Sequence, residues 1–201
     1  LEEAEPPKKE KVVATFKTTR VIQAHSIETV KAKTLDVRIS HRFGSIFSTR
    51  NKQRGTDDGP NTFFGFDNIA DVRLAVEYGI TDELMVGIGR SQMNNLVDGF
   101  VKWRFLEQTS NNKYPLSLAF VGNIGVNASK QPAFYAGVKD SLVQTYGSSK
   151  LFFHRLSYTA QLIIARKFSP SISVELLPTY IHRNFVKHPD GENSLMAMGV
   201  A

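Results

Sequence analysis

Charged side chains recur at alternate positions in this chain, and they are the residues with the most chemical potential. Asp36, Arg38 and Arg42 share one parity, and Asp71, Arg73 and Glu77 share another. Lys102 and Arg104 repeat the spacing, and Arg155, Glu175 and Arg183 stand in comparable segments. Residues two apart on an extended chain point to the same side, so each set makes a charged row along one face of a strand. Gathered inside a closed sheet, such rows have two uses. In a narrow barrel filled by its own side chains they neutralise one another as an ion-pair network. In a wider barrel they line a water-filled lumen whose basic excess favours anions.

Other constellations are weaker. His25, His41, His154, His182 and His188 lack metal-ligand spacing of the His-Glu-x-x-His kind, although His182 and His188 flank a loop containing Asp190. Asp57, Asp58 and Gly59 form an acidic turn that falls short of the ligand ladder of a calcium loop. His154 and Ser157 are close in sequence but of opposite parity, so a strand sends them to opposite faces and no nucleophile–base pair results. Gly87 and Gly89 lie inside a strand with no helix following, which makes them packing glycines rather than a phosphate loop. Asn127, Ala128 and Ser129 match a glycosylation acceptor with nothing further to support it. The chain has no cysteine, which excludes disulfides, thiolate nucleophiles and Cys-ligated metals. No catalytic, cofactor or metal residue is assigned, and no enzymatic activity is expected.

The elements that would position the charges are strands. Alternation of apolar and polar residues predicts Leu35–Phe43, Ile69–Ile80, Leu84–Arg90, Gly99–Leu106, Leu116–Val126, Phe153–Ala165, Ile172–Arg183 and Leu195–Ala201. Most are near the 9–11 residues, roughly, that a tilted strand needs to cross hydrocarbon. No window approaches 18 uninterrupted apolar residues, the usual sign of a spanning helix, roughly. The expected class is therefore all-β: an antiparallel transmembrane β-barrel with about eight visible strands, occupying residues 31–201. Residues 1–30 read as a periplasmic N-terminal tail or lead-in, acidic at first, then proline-containing, then basic. Beyond residue 12 the lead-in is apolar without a steady period, the pattern of an extended segment that enters the barrel or packs beneath it. The start at Leu1 implies processing or trimming.

Connections and aromatic residues choose between a soluble and a membrane barrel. Segments 44–68 and 127–152 are long, whereas 81–83 and 167–171 are short, the sorting of loops and turns found in outer-membrane barrels. Phe43, Tyr78, Trp103, Phe105, Tyr114, Phe153 and Phe168 lie near strand ends, as do Phe47, Phe63, Phe64, Phe66, Phe134 and Tyr135 in loop bases, where interfacial girdles need rings. Net charge is +6, but Lys and Arg are interleaved with acids, so no nucleic-acid partner is expected.

Phe64-Gly65-Phe66-Asp67-Asn68-Ile69-Ala70-Asp71-Val72-Arg73-Leu74 resembles an uncharacterised family of bacterial outer-membrane β-barrels, a domain of unknown function. The likeness continues through Glu77-Tyr78-Gly79-Ile80-Thr81-Asp82, Val86-Gly87-Ile88-Gly89-Arg90 and Asp98-Gly99-Phe100-Val101-Lys102-Trp103-Arg104. Upstream, Thr19-Arg20-Val21-Ile22 and His41-Arg42-Phe43-Gly44 share it. The resemblance implies a barrel with no assigned activity. It also implies further strands and an aromatic last residue, which Ala201 is not. Two functions follow as expectations. The first is an accessory or structural subunit of a larger cell-envelope complex in the outer membrane, with outer-membrane lipids and other outer-membrane or periplasmic proteins as partners. The second is a passive, porin-like channel for small polar or anionic solutes.

Overall fold

The computed structural model describes residues 11–43, 69–130, 152–186 and 191–201. Eight strands form one antiparallel meander, each beside its neighbour in sequence. Two short strands, β1 (Arg20–Val21) and β2 (Ala24–His25), pair as a hairpin ahead of it. The meander comprises β3 (Leu35–Phe43), β4 (Ile69–Gly79), β5 (Leu84–Ser91), β6 (Leu96–Leu106), β7 (Ser117–Asn127), β8 (Leu156–Lys167), β9 (Ser173–Arg183) and β10 (Ser194–Val200). β3 and β10 are its two edges and do not pair with each other. Each predicted strand is present. The largest shifts are at β6, which begins at Leu96 rather than Gly99, and β8, which begins at Leu156 rather than Phe153.

Side-chain parity sorts the sheet into two unlike faces. Asp71, Ala75 and Glu77 are buried on β4, while Leu74, Val76 and Tyr78 between them are exposed. The same alternation runs along β6, where Asp98, Phe100 and Lys102 are buried and Val101, Trp103 and Phe105 are not. On β3 the outward residues Val37 and Ile39 are 66% and 63% exposed. A water-soluble barrel would have its apolar side chains inward, so this pattern is inverted. Each such aliphatic residue gains about 1.5–3 kcal/mol on transfer from water to hydrocarbon, which is the physical reason for an apolar outer face.

The connections fall on two ends. At one end lie 44–68, 92–95, 128–155 and 184–193; at the other lie 80–83, 107–116 and 168–172. Two links depart from the sorting of long loops to one end: 107–116, as long as 184–193 but at the opposite end, and 92–95. Link 92–95 reverses the chain in a tight 3-10 turn, with Asn94 and Asn95 at φ 57° and 46°, a region asparagine tolerates. The Met93 amide donates to Asp71 Oδ1 at 2.8 Å, tying this turn to the neighbouring strand. Trp103 and Phe105, 5.5 Å apart between ring centroids, lie near the short-turn end, and Phe43 near the other. Not every aromatic belongs to a girdle: Phe100 is buried on the concave side. Phe47, Phe63, Phe64, Phe66, Phe134 and Tyr135 lie outside the described residues.

Residues 11–32 return to the sheet instead of trailing from it. Lys11 bridges to Thr109 at the short-turn end, and Val12 donates its amide to the Gln108 carbonyl at 2.9 Å. The chain then rises into the concave side as the β1–β2 hairpin and descends to start β3, with the Ala32 amide donating to Asp82 Oδ1 at 2.9 Å. Ile27 and Val30 join Met85, Phe100, Ala119, Val121, Ile163, Ala165 and Leu177 in the apolar core between hairpin and wall.

Two glycine sites test this packing. A Cβ on Gly79 would stand 2.1 Å from the Lys31 carbonyl oxygen, a backbone atom that cannot move aside cheaply. Gly79→Ala is therefore expected to lower unfolding stability by about 1–3 kcal/mol or more. Gly122→Ala, whose Cβ would meet the Phe120 ring at 3.4 Å, should stay within about 0.5 kcal/mol of the parent. Urea midpoints of the detergent-folded proteins compare them, and equal midpoints would remove the proposed close approach.

Candidate functional site: a filled interior below a polar vestibule

Lys102 organises the interior. It stands mid-strand on β6 among the apolar core and is fully buried. Its ammonium donates to the Ser26 carbonyl at 3.0 Å, to the Thr19 carbonyl at 3.3 Å and to the Glu28 carbonyl. An ammonium has three donors, and all three reach carbonyls on both arms of the hairpin, so one side chain staples rising and descending chain together. Ser26 adds a bond from its hydroxyl to the Thr18 carbonyl at 2.5 Å. Glu175, fully buried on β9, lies by the Ile27 backbone and interacts electrostatically with Lys102.

Ion pairs fix the hairpin to the wall at several levels. Arg20 Nη2 lies 2.8 Å from the buried Glu77 carboxylate and its guanidinium sits 5.0 Å over the Phe100 ring. The His25 ring meets Phe100 edge-on at 4.6 Å between centroids. Nearer the short-turn end, Arg104 pairs with Glu107 at 2.9 Å and Glu28 at 3.5 Å. Lys11 caps this end through Glu107 at 2.9 Å, and that hydrogen bond raises the Lys11 pKa above its ordinary value.

Above the hairpin tip is a polar cavity of about 380 Å³, facing the end with the long connections. Gln23, Ala24 and His25 form its floor, and Arg42, Arg73, Asp71 and Asp98 part of its wall. Arg42 lies 3.1 Å from Asp71, and Arg73 grips Asp98 with both nitrogens, one at 2.7 Å. Gly89 makes this possible, because a Cβ there would strike the Arg73 guanidinium at 2.3 Å. Gly87 does the same for the Phe100 ring.

Of the charges singled out by spacing, Asp71, Arg73, Glu77, Lys102, Arg104 and Glu175 face the concave side together with Arg42. Asp36 and Arg38 pair with each other at 2.9 Å on edge strand β3, and Arg38 also reaches the Thr19 hydroxyl at 2.8 Å. Arg155 is not on a strand: it precedes β8 and donates to the Asn127 and Ser129 carbonyls, at 2.8 and 2.5 Å, closing the base of a long connection. Arg183 is exposed at the end of β9.

Sequence reasoning missed Asp98 and the hairpin's own groups. Asp98 fell outside because β6 was begun at Gly99, three residues too late, although its parity with Phe100, Lys102 and Arg104 carried the signal. Arg20 and Glu28 carried none, since the hairpin is short and its apolar residues lack a period. Of the lesser constellations, His25 and Ser157 line the vestibule. His182 Nδ1 lies 2.9 Å from the Ser194 hydroxyl, and the Ser157 hydroxyl donates to the Gly125 carbonyl at 3.4 Å. Among the described residues no cluster of His, Asp and Glu has metal-binding geometry. Asp57, Asp58, Gly59, His188 and Asp190 lie outside them.

Comparison with known proteins gives one relation. The family model described as Membrane bound beta barrel domain (DUF5777) matches residues 16–201, a span that takes in the interior hairpin as well as all eight wall strands. No curated protein and no solved structure matches.

Removing one partner from these buried sets leaves the other without compensation. Lys102→Met is expected to destabilise docking of the hairpin by about 3 kcal/mol, because three carbonyls lose a charged donor. Trypsin should then cut at Lys17 or Arg20 in the folded variant while sparing the parent. Unchanged protection would mean that Lys102 is not the staple. Arg73→Ala, which strands the buried Asp98 carboxylate, should cost about 3–5 kcal/mol, recovered in part by adding Asp98→Asn, as read from urea midpoints.

Proposed function

Because this chain belongs to that membrane bound beta barrel family, we propose that it is a closed-lumen structural subunit of the outer membrane. In this reading it is an accessory component of a larger cell-envelope complex. The eight-stranded sheet is barrel wall, its apolar face turned to lipid. A single observation carries the reading: the concave side is filled by residues 11–32, stapled by Lys102 and paired through Arg20–Glu77 and Arg104–Glu28. A passive pore needs a continuous wet path, and a hairpin sealed into an apolar core with Ile27 and Val30 denies one. With the interior occupied by the chain's own N-terminal segment, the described surface left for lipids and envelope proteins is the outer wall.

A second reading, a channel for small anionic solutes, draws on the arginines around the vestibule, Arg20, Arg42 and Arg73. It requires the hairpin to leave. The two readings separate in planar bilayers. The parent is expected to show no steady conductance, and Lys102→Met to show intermittent openings. A parent that conducts steadily and loses anion preference on Arg73→Ala would replace the structural reading with the channel. Mild-detergent extraction of native membranes addresses the partners, with stoichiometric co-migration of other envelope proteins as the expected outcome and migration of the barrel alone as the contrary one.

A further inference from the structure

The hairpin is lodged in the wall without being woven into it. β1 and β2 pair only with each other, and neither joins a ladder of the eight-stranded sheet. Among the described residues, bridges to the wall occur only at the roots: Lys11 to Thr109 and Ala32 to Gly79, both at the short-turn end. Lys167 strengthens the first root by donating to the Val13 and Ala14 carbonyls at 3.0 and 2.8 Å. The segment thus enters and leaves by the same end. It can be drawn out as a loop toward that end, with no terminus to thread and no ladder to break.

The charges that hold it are arranged to outlast it. Glu77, Arg104 and Lys102 of the wall grip the hairpin, and each has a second partner outside it. Glu77, paired with Arg20, also lies 4.0 Å from Arg38 on β3. Arg104, which meets Glu28 at 3.5 Å, meets Glu107 at 2.9 Å. Lys102 directs its donors to the Thr19, Ser26 and Glu28 carbonyls, and the opposite charge facing it from β9 is Glu175. Glu175 is fully buried, yet neither carboxylate oxygen has a hydrogen-bond partner of ordinary geometry. The Ser26–Ile27 peptide stands between the two groups, its carbonyl 3.0 Å from the ammonium and its Ile27 end beside the carboxylate. Glu28, on the same arm, adds a like charge near Glu175. The docked hairpin therefore keeps Glu175 short of partners, and leaving buried acceptor atoms unmet costs free energy.

We propose that the hairpin is a retractable plug and that Lys102 and Glu175 are the switch between its two states. Docked, the ammonium holds the three carbonyls. Withdrawn through the short-turn end, it exchanges them for the Glu175 carboxylate, while Arg38 and Glu107 keep Glu77 and Arg104 paired. The flexible four-carbon stem of lysine lets the ammonium turn between acceptors on either side of one peptide unit. A segment that only filled space would need no second set of partners. The structural-subunit reading requires a lumen closed at rest; the plug goes beyond it by giving that lumen a second state.

The chain has no cysteine, so Ser26→Cys puts a single reporter at a fully buried hairpin position that withdrawal exposes. In the full chain in phosphatidylcholine nanodiscs, a water-soluble maleimide should label it slowly, at a rate proportional to reagent concentration. Adding Glu175→Gln removes the partner that Lys102 takes on withdrawal, and should slow labelling about tenfold or more. The sign is decisive. If Glu175 serves only the docked state, through its attraction for Lys102, the same substitution loosens the hairpin and labelling quickens. Carbodiimide treatment of the parent supplies a readout with Glu175 intact, since it joins a lysine amine to a carboxylate in direct contact with loss of water. A Lys102–Glu175 amide is expected in the peptide mass spectrum. A reporter that never labels, labelling unchanged or faster with Glu175→Gln, or absence of the amide would overturn the plug. None of these readouts depends on a partner protein, so they fail or succeed separately from the subunit reading.

Discussion

Hydrocarbon offers a peptide group nothing to hydrogen-bond with, and the rest of this structure depends on that constraint. It forces the chain into a sheet whose ladders satisfy the backbone, and it turns the usual arrangement of side chains inside out. Val37, Ile39, Leu74, Ile88 and Trp103 face outward because the outer solvent is apolar. Asp71, Glu77, Lys102 and Glu175 face inward because nowhere else along those strands would tolerate a charge. The polar interior is thus the consequence of an apolar exterior, whatever its later use.

A polar interior raises a second difficulty, since buried charges without partners are far costlier than exposed ones. The chain meets it with its own N-terminal segment. The β1–β2 hairpin offers carbonyls to Lys102, a guanidinium to Glu77 and a carboxylate to Arg104. It also contributes Ile27 and Val30, so the filled region is mixed rather than purely ionic. An eight-stranded barrel is ordinarily just wide enough for its own side chains, roughly speaking. Here the concave side of the wall holds a hairpin as well. Small residues make the fit possible: Gly79 admits the Lys31 backbone, and Gly87 and Gly89 admit Phe100 and Arg73.

The alternation of residues within each strand was legible without coordinates, because a period of two maps directly onto the two faces of a sheet. Leu35–Phe43 was placed to the residue, and the charged rows on β4 and β6 went to the concave side as their spacing required. Errors arose at strand ends, where alternation fades. Arg155 was assigned to a wall strand but belongs to the turn before it, and Asp98 was left in a loop though it grips Arg73. Membership of a membrane bound beta barrel family accords with the inverted faces, which alternation alone left undecided.

Local pattern therefore determined the strands and the identity of the charges on one face, since each depends only on residues near in sequence. Tertiary structure decided which face is inside, which charges meet and what fills the space between them. Arg73 finds Asp98, Arg20 finds Glu77 and Lys102 finds Ser26 across separations of 25, 57 and 76 residues. No periodicity encodes such meetings. They follow from the curvature of the sheet and from the volume it leaves, and those are properties of all eight strands together.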